Sequence, residues 1–161
     1  MRKIVLGLLA SFAILAAPTV SQAASKVTYQ TTGEQQVLVL LNQIRAQHGL
    51  GSLTASAPLR TAARFHSADM LQHSYFEHDG LNESWDARVA RYLRSSLIGE
   101  TIAWGSGSSG SAAGIVSMWM HSPPHRAIIL TGGLHRVGLG LALGTYAGTP
   151  GAVMATADFA A

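Results

Sequence analysis

Hydrophobic positions recur at helical spacing through the first part of this chain and alternate like strands at its end. Val37, Leu41, Ile44 and His48 repeat at three- and four-residue intervals, with Leu40 widening the stripe, which predicts an amphipathic helix. Thr31 and Thr32 followed by Glu34 and Gln35 form a capping-box pattern at its start. Gly49 stands where a left-handed residue closes a helix, and His48 reads as a helix-end cation or cap. Leu53 anchors the loop that follows. A second helix opens at Ser56 with Pro58 in its first turn. Its inner face is Leu59, Ala62, Ala63, His66 and Met70. On that stripe His66 reads as a hydrogen-bonded core histidine, whereas His73 in the last turn reads as exposed.

The middle of the chain is less periodic. Ser74 to Gly80 is an aromatic and polar loop. Leu81 to Leu97 reads as helical or irregular, with Trp85, Val89, Tyr92 and Leu93 turned inward and Arg88, Arg91 and Arg94 forming a solvated face. Ile98 to Trp104 predicts a strand that carries one charged residue, Glu100. The Gly/Ser run from Gly105 to Gly110 lacks the spacing and terminal lysine of a phosphate-cradling loop, so nucleotide binding is excluded. A helix from about Ser111 to Ser122 follows, packed through Ile115, Met118 and Trp119 and stopped by Pro123 and Pro124. His135 reads as a loop residue. Val137–Leu143 and Ala152–Phe159 then predict an antiparallel hairpin around a loop of moderate length, Gly144 to Gly151. Its many small residues place one face close under a helix.

The first residues stand apart from this pattern. Arg2 and Lys3 precede an apolar run, Ile4 to Ala17, and small residues end at Ala23, which predicts a signal peptide over 1–23 and an extracytoplasmic location. A short lead-in, 24–33, precedes one domain over 34–161. No later segment predicts a membrane span. Removing Arg2 and Lys3 from eleven Lys/Arg leaves nine, against eight Asp/Glu, so the net charge of +3 largely belongs to the leader. No basic stripe of the kind that binds nucleic acid remains. Cysteine is absent, which excludes disulfides, thiolate metal sites and cysteine nucleophiles.

Candidate chemistry therefore rests on histidines and carboxylates. His78, Glu100 and His125 lie near the ends of three different elements, where a scaffold positions functional groups. Two neutral imidazoles and a carboxylate suit zinc with an open position for water. The same residues also suit a metal-free acid–base set in which Glu100 orients a histidine. His121 and His125 are four apart, but two prolines between them break the helical geometry a metal pair needs, so His121 is a surface or supporting residue. Ser122 lacks the Gly-x-Ser-x-Gly surroundings of a hydrolase nucleophile.

Five fragments in order carry a resemblance. They are Leu41-Asn-Gln-Ile-Arg-Ala46 with Gly49-Leu50, Ala62-Ala-Arg-Phe-His-Ser-Ala-Asp-Met70, Tyr75-Phe-Glu-His78, Gly99-Glu-Thr-Ile-Ala103 and Trp119-Met-His-Ser-Pro-Pro-His-Arg-Ala-Ile-Ile-Leu130. Together they resemble the CAP superfamily of cysteine-rich secretory, antigen-five and pathogenesis-related proteins, in its cysteine-free bacterial secreted (SCP-like) branch. The resemblance implies an α+β fold, a three-layer αβα sandwich around a small antiparallel sheet. It also implies a cleft floored by His78, Glu100 and His125, with neutral Ser122 where other members carry a second glutamate. Thr101 and Ile128 replace asparagines usual in the branch, which alters the hydrogen bonds around the cleft. The implied function is binding of a lipid, a cell-envelope component or a protein partner. The alternative is a zinc-assisted hydrolase in which His78 and His125 hold the metal and Glu100 is the general base.

Overall fold

A computed structural model describes residues 27–161. The expected signal peptide, 1–23, lies outside the described residues. The element order is β1 (Thr28–Tyr29), α1 (Thr31–Gln47), β2 (Thr54–Ala55), α2 (Ala57–His73), α3 (Trp85–Tyr92), β3 (Ile98–Gly105), α4 (Ala112–His121), α5 (Pro123–Ile129), β4 (Arg136–Tyr146) and β5 (Thr149–Ala160). The sheet runs β1-β4-β5-β3, antiparallel throughout, and the two-residue β2 adds a short parallel pairing to the start of β4.

Strand alternation sorts the sheet into two buried faces. Val137, Leu139, Leu141, Val153, Ala155, Ala157 and Phe159 share one core with Val37 and Leu41 of α1, Ile115 and Trp119 of α4 and Ile129 of α5. The even positions face α2: Ala142, Met154 and Ile102 pack with Met70 and Leu71. This is the expected αβα sandwich. Helix α2 sits directly on the β4 backbone. A Cβ on Gly138 would lie 1.9 Å from the carbonyl carbon of Leu59, and one on Gly140 would lie 2.4 Å from that of Ala63. Only glycine permits that approach.

Gly49 closes α1 at φ 68, with Leu50 N–H donating to Arg45 O and Gly49 N–H to Ala46 O, the Schellman arrangement. The capping box expected at the other end does not form. The N-cap is Gln30 with no side-chain bond. Glu34 is instead buried against Arg64 of α2 (2.8 and 2.6 Å) and accepts from Leu141 N–H on β4 (3.3 Å). The β4–β5 loop is shorter than expected. Ala147 and Gly148, at φ 48 and 76, make a two-residue turn between paired Tyr146 and Thr149. Gly151 at φ 71 is the extra residue where the register shifts beside Gly144 and Thr145. The prolines likewise end one helix and begin another: α4 stops at His121, and Pro123 and Pro124 open α5, where their missing N–H groups need no partner.

One buried side chain fixes the end of α5. Arg45 donates to the carbonyls of Gly51 (2.8 Å), Ile129 (2.7 Å), Thr131 (3.0 Å) and Leu134 (3.0 Å). It ties the C-terminal ends of α1 and α5 together, and α5 carries His125.

Candidate functional site

Strand β3 is an edge of the sheet, so side chains from both helical layers can meet around it. Glu100 faces the α2 layer with Ile102, whereas Thr101 and Ala103 face the opposite core. Gly99 lets α5 lie against the strand: a Cβ there would stand 2.8 Å from Ile128 Cγ2. His78 reaches Glu100 from the loop between α2 and α3. His125 arrives from α5, on the other side of the edge. The imidazole centroids of His78 and His125 are 5.9 Å apart with planes at 55°.

The loop that presents His78 is tied down at several points. Ser74 turns the chain out of α2 at φ 56, and the carbonyl of Glu77 accepts from His66 Nε2 at 3.0 Å. Asp79 accepts from Trp85 N–H at 2.9 Å, and Gly80 N–H donates to Glu83 O at 2.9 Å. His66 is fully buried, as expected of a core histidine. Burial, above all, lowers its pKa to about 4, so it is neutral and donates through Nε2.

Glu100 is 2% exposed and both its oxygens are engaged. Oε1 lies 2.8 Å from His78 Nδ1, and Oε2 accepts from Arg88 Nη2. Arg88 Nη1 donates to the carbonyl of His78 at 3.0 Å. A carboxylate can only accept, so His78 Nδ1 carries the proton, and in the neutral ring Nε2 is left as an acceptor. Arg88 was expected on a solvated face and is instead 1% exposed. Its spacing shows why: Arg88 is three residues from Trp85 and four from Tyr92, on the same stripe as the apolar residues that face inward. Arg91 does lie outside, paired with Glu83 at 2.6 Å.

Asp158 completes the cluster and was not anticipated from sequence. It is fully buried and is the cross-strand partner of Glu100. Burial and then the Glu100 charge push its carboxyl well above the usual carboxylate range, against a smaller opposing effect of Arg88. The sequence signal was one acid inside the apolar run of β5. His125 is half-buried, and burial, followed by the neighbouring His78, lowers its pKa.

The remaining residues expected around the cleft contribute less. Ser122 joins α4 to α5, and among the described residues its hydroxyl has no side-chain hydrogen bond. Thr101 is buried on the opposite face of β3 from Glu100, with its hydroxyl unpartnered, so it does not support the cleft by hydrogen bonding. Ile128 packs on Gly99. His121 is exposed, and its Nδ1 is held by the carbonyl of Ser117 one turn back in α4, at 2.8 Å. Among the described residues no group of three His, Cys, Asp or Glu is arranged to hold a metal. A zinc site built with Glu100 does not fit, because both its oxygens are taken and a buried guanidinium stands against it.

A second surface opens elsewhere. A groove of about 470 Å³ runs between α1 and α4, lined by Gln35, Gln36, Val39, Leu40, Ala112 and Ala113 among others. Val39 is 55% exposed there. The sequence stripe did not include it.

With the geometry in place, comparison with known proteins decides the family. The model of the cysteine-rich secretory protein family (CAP) matches residues 38–159. The chain belongs to this CAP family. It is 34% identical over 116 residues to the uncharacterized membrane protein YlbC of Bacillus subtilis (strain 168), a match covering 70% of this chain and 32% of YlbC. An extracellular protein containing an SCP domain from Bacillus anthracis str. Ames superposes with a TM-score of 0.69 at 27% identity, over 81% of this chain and 41% of that one. An outer surface protein of Borrelia burgdorferi superposes with a TM-score of 0.73 over 84% of this chain and 96% of that one; at 15% identity it shows the CAP fold alone. This CAP chain thus spans under half the length of YlbC and of the Bacillus anthracis protein. Among the described residues no helix is long and apolar enough to cross a membrane.

Proposed function

We propose that this CAP protein is an extracytoplasmic binding module whose ligand carries an apolar chain, as a cell-envelope lipid does. The observation that carries the reading is the α1–α4 groove. Its size and largely apolar lining, with a few amides and hydroxyls at the side, are those of a small-molecule site. The leader-like first 23 residues and the extracellular SCP-domain relative support the location. The histidine cleft is a separate polar surface, offering His78 Nε2 as an acceptor beside half-buried His125, and the apolar chain does not enter it.

The hydrolase alternative asks Glu100 to be a metal ligand or a general base. A carboxylate held by Arg88 and His78 and shut from solvent is poorly placed for either task.

Titration with a fluorescent polyene fatty acid tests the proposal. Saturable binding at micromolar concentration is expected, weakened at least tenfold by Val39→Arg, which puts a charge into the groove. Absence of binding, or binding indifferent to Val39→Arg, contradicts it. Peptide or ester turnover abolished by Glu100→Gln would establish the hydrolase instead.

A further inference from the structure

We infer that Asp158 is a positioning residue for the histidine cleft, acting through Glu100 on the tautomer and orientation of His78. The register carries the argument. Asp158 pairs with Glu100 on β3 and with Gly138 on β4, so its immediate neighbours across the sheet are one carboxylate and one residue without a side chain. Gly138 is kept bare by α2, whose backbone lies on it. The charged groups acting on Asp158 are Glu100 from β3 and Arg88 from α3. His66 from α2 feels the same Glu100 and Arg88 charges.

As a carboxylate, Asp158 has no donor for either oxygen. As a neutral acid it would have a proton to give, and the carboxylate of its cross-strand partner Glu100 is the acceptor beside it on that face of the sheet. That proton settles which carboxyl is ionised. Glu100 becomes the one ionised carboxylate of the cluster, matched by the buried guanidinium of Arg88, and its accepting oxygen is turned to His78 Nδ1–H. Without the Asp158 donor, Glu100 keeps the Arg88 bond but loses the contact that holds its plane on the sheet side. The His78 ring is then free to turn, and its Nδ1–H tautomer is no longer selected. A second ionised carboxylate there would add an unpaired charge to a water-free cluster, which is unfavourable.

The test reads His78 directly, by two-dimensional ¹⁵N–¹H correlation spectra of its ring nitrogens in the purified protein at a pH where the ring is neutral. The Nδ1–H tautomer is expected in the parent and in Asp158→Asn, whose amide can still donate, and is expected to give way to a mixture in Asp158→Leu. Retention of the tautomer in folded Asp158→Leu, or its loss in Asp158→Asn, overturns the inference. A measurement on the parent keeps it testable if Asp158→Leu does not fold. The Asp158 side-chain ¹³C shift should be that of a protonated acid at a pH where surface aspartates are fully ionised, and the shift of an ionised carboxylate overturns the inference equally.

Discussion

Substituting Arg88 by leucine tests the buried cluster at its strongest contact. Arg88 is 1% exposed and Glu100 2%. Leucine removes the ion pair and the bond to His78 O while leaving Glu100 buried without its counter-charge. Breaking a buried pair by removing one partner costs about 3–5 kcal/mol. For a domain of this size each kcal/mol moves the midpoint by roughly 2–4 °C, so a fall of about 6–20 °C is expected. Two internal controls lie on the same segment. Arg91→Ala breaks an exposed pair with Glu83 and should cost about 0–1 kcal/mol. Arg94→Ala removes an exposed side chain and should stay within roughly 0.5 kcal/mol. Urea unfolding followed by tryptophan fluorescence measures all three, since buried Trp119 reports loss of the core. A loss below about 1 kcal/mol for Arg88→Leu, indistinguishable from Arg94→Ala, would refute the account of the cluster.

Three further outcomes follow from particular contacts. Gly138→Ala forces a methyl group against the Leu59 carbonyl carbon and should cost about 3 kcal/mol or prevent folding, seen as a lower urea midpoint or insoluble expression. Gly49→Ala meets no atom but must hold φ 68, so thermal unfolding should show a loss of about 1 kcal/mol from backbone strain alone. His66 is neutral in the folded state, with its pKa lowered to about 4, and protonates near 6.5 when unfolded. The unfolded chain therefore binds the extra proton between those values. The stability His66 contributes is complete above pH 6.5 and is lost as pH falls toward 4, by up to about 3 kcal/mol. Asp158, raised in the folded state, acts in the opposite sense, stabilising at low pH and less as pH rises. The measurement is thus the difference between parent and His66→Gln unfolding at pH 7 and at pH 4.5. His66→Gln should be relatively better tolerated at the lower pH, and an equal penalty at both would contradict the burial argument.

The sandwich was readable because its signals are local or periodic: the stripes of α1 and α2, the glycine cap at Gly49, the alternating apolar strands with glycines under α2. What failed were assignments that depend on which partner a polar group finds. Glu34 looked like a capping residue, but Arg64 and a free N–H of β4 compete for it more strongly than the helix end. Arg88 looked solvated because arginine usually is, although its spacing from Trp85 and Tyr92 placed it on the inner stripe. Asp158 carried no spacing signal at all, since its meaning comes from β3–β5 register, a contact between distant segments. The hairpin turn was overestimated because glycines at 144 and 151 read as loop, whereas Gly151 forms a bulge inside the ladder. The cleft histidines were singled out by their places near element ends and by the resemblance, and their rings lie 5.9 Å apart.

The binding reading is tested most directly by mapping where an apolar-chain ligand touches the protein. Titrating a long-chain fatty acid into the isotopically labelled protein and following backbone amide shifts gives that map residue by residue. Saturable shifts centred on Val39, Leu40, Ala112 and Ala113 are expected, with the amides around Glu100 little changed. No saturable shifts, or shifts confined to His78 and His125 with the α1–α4 groove untouched, would contradict it.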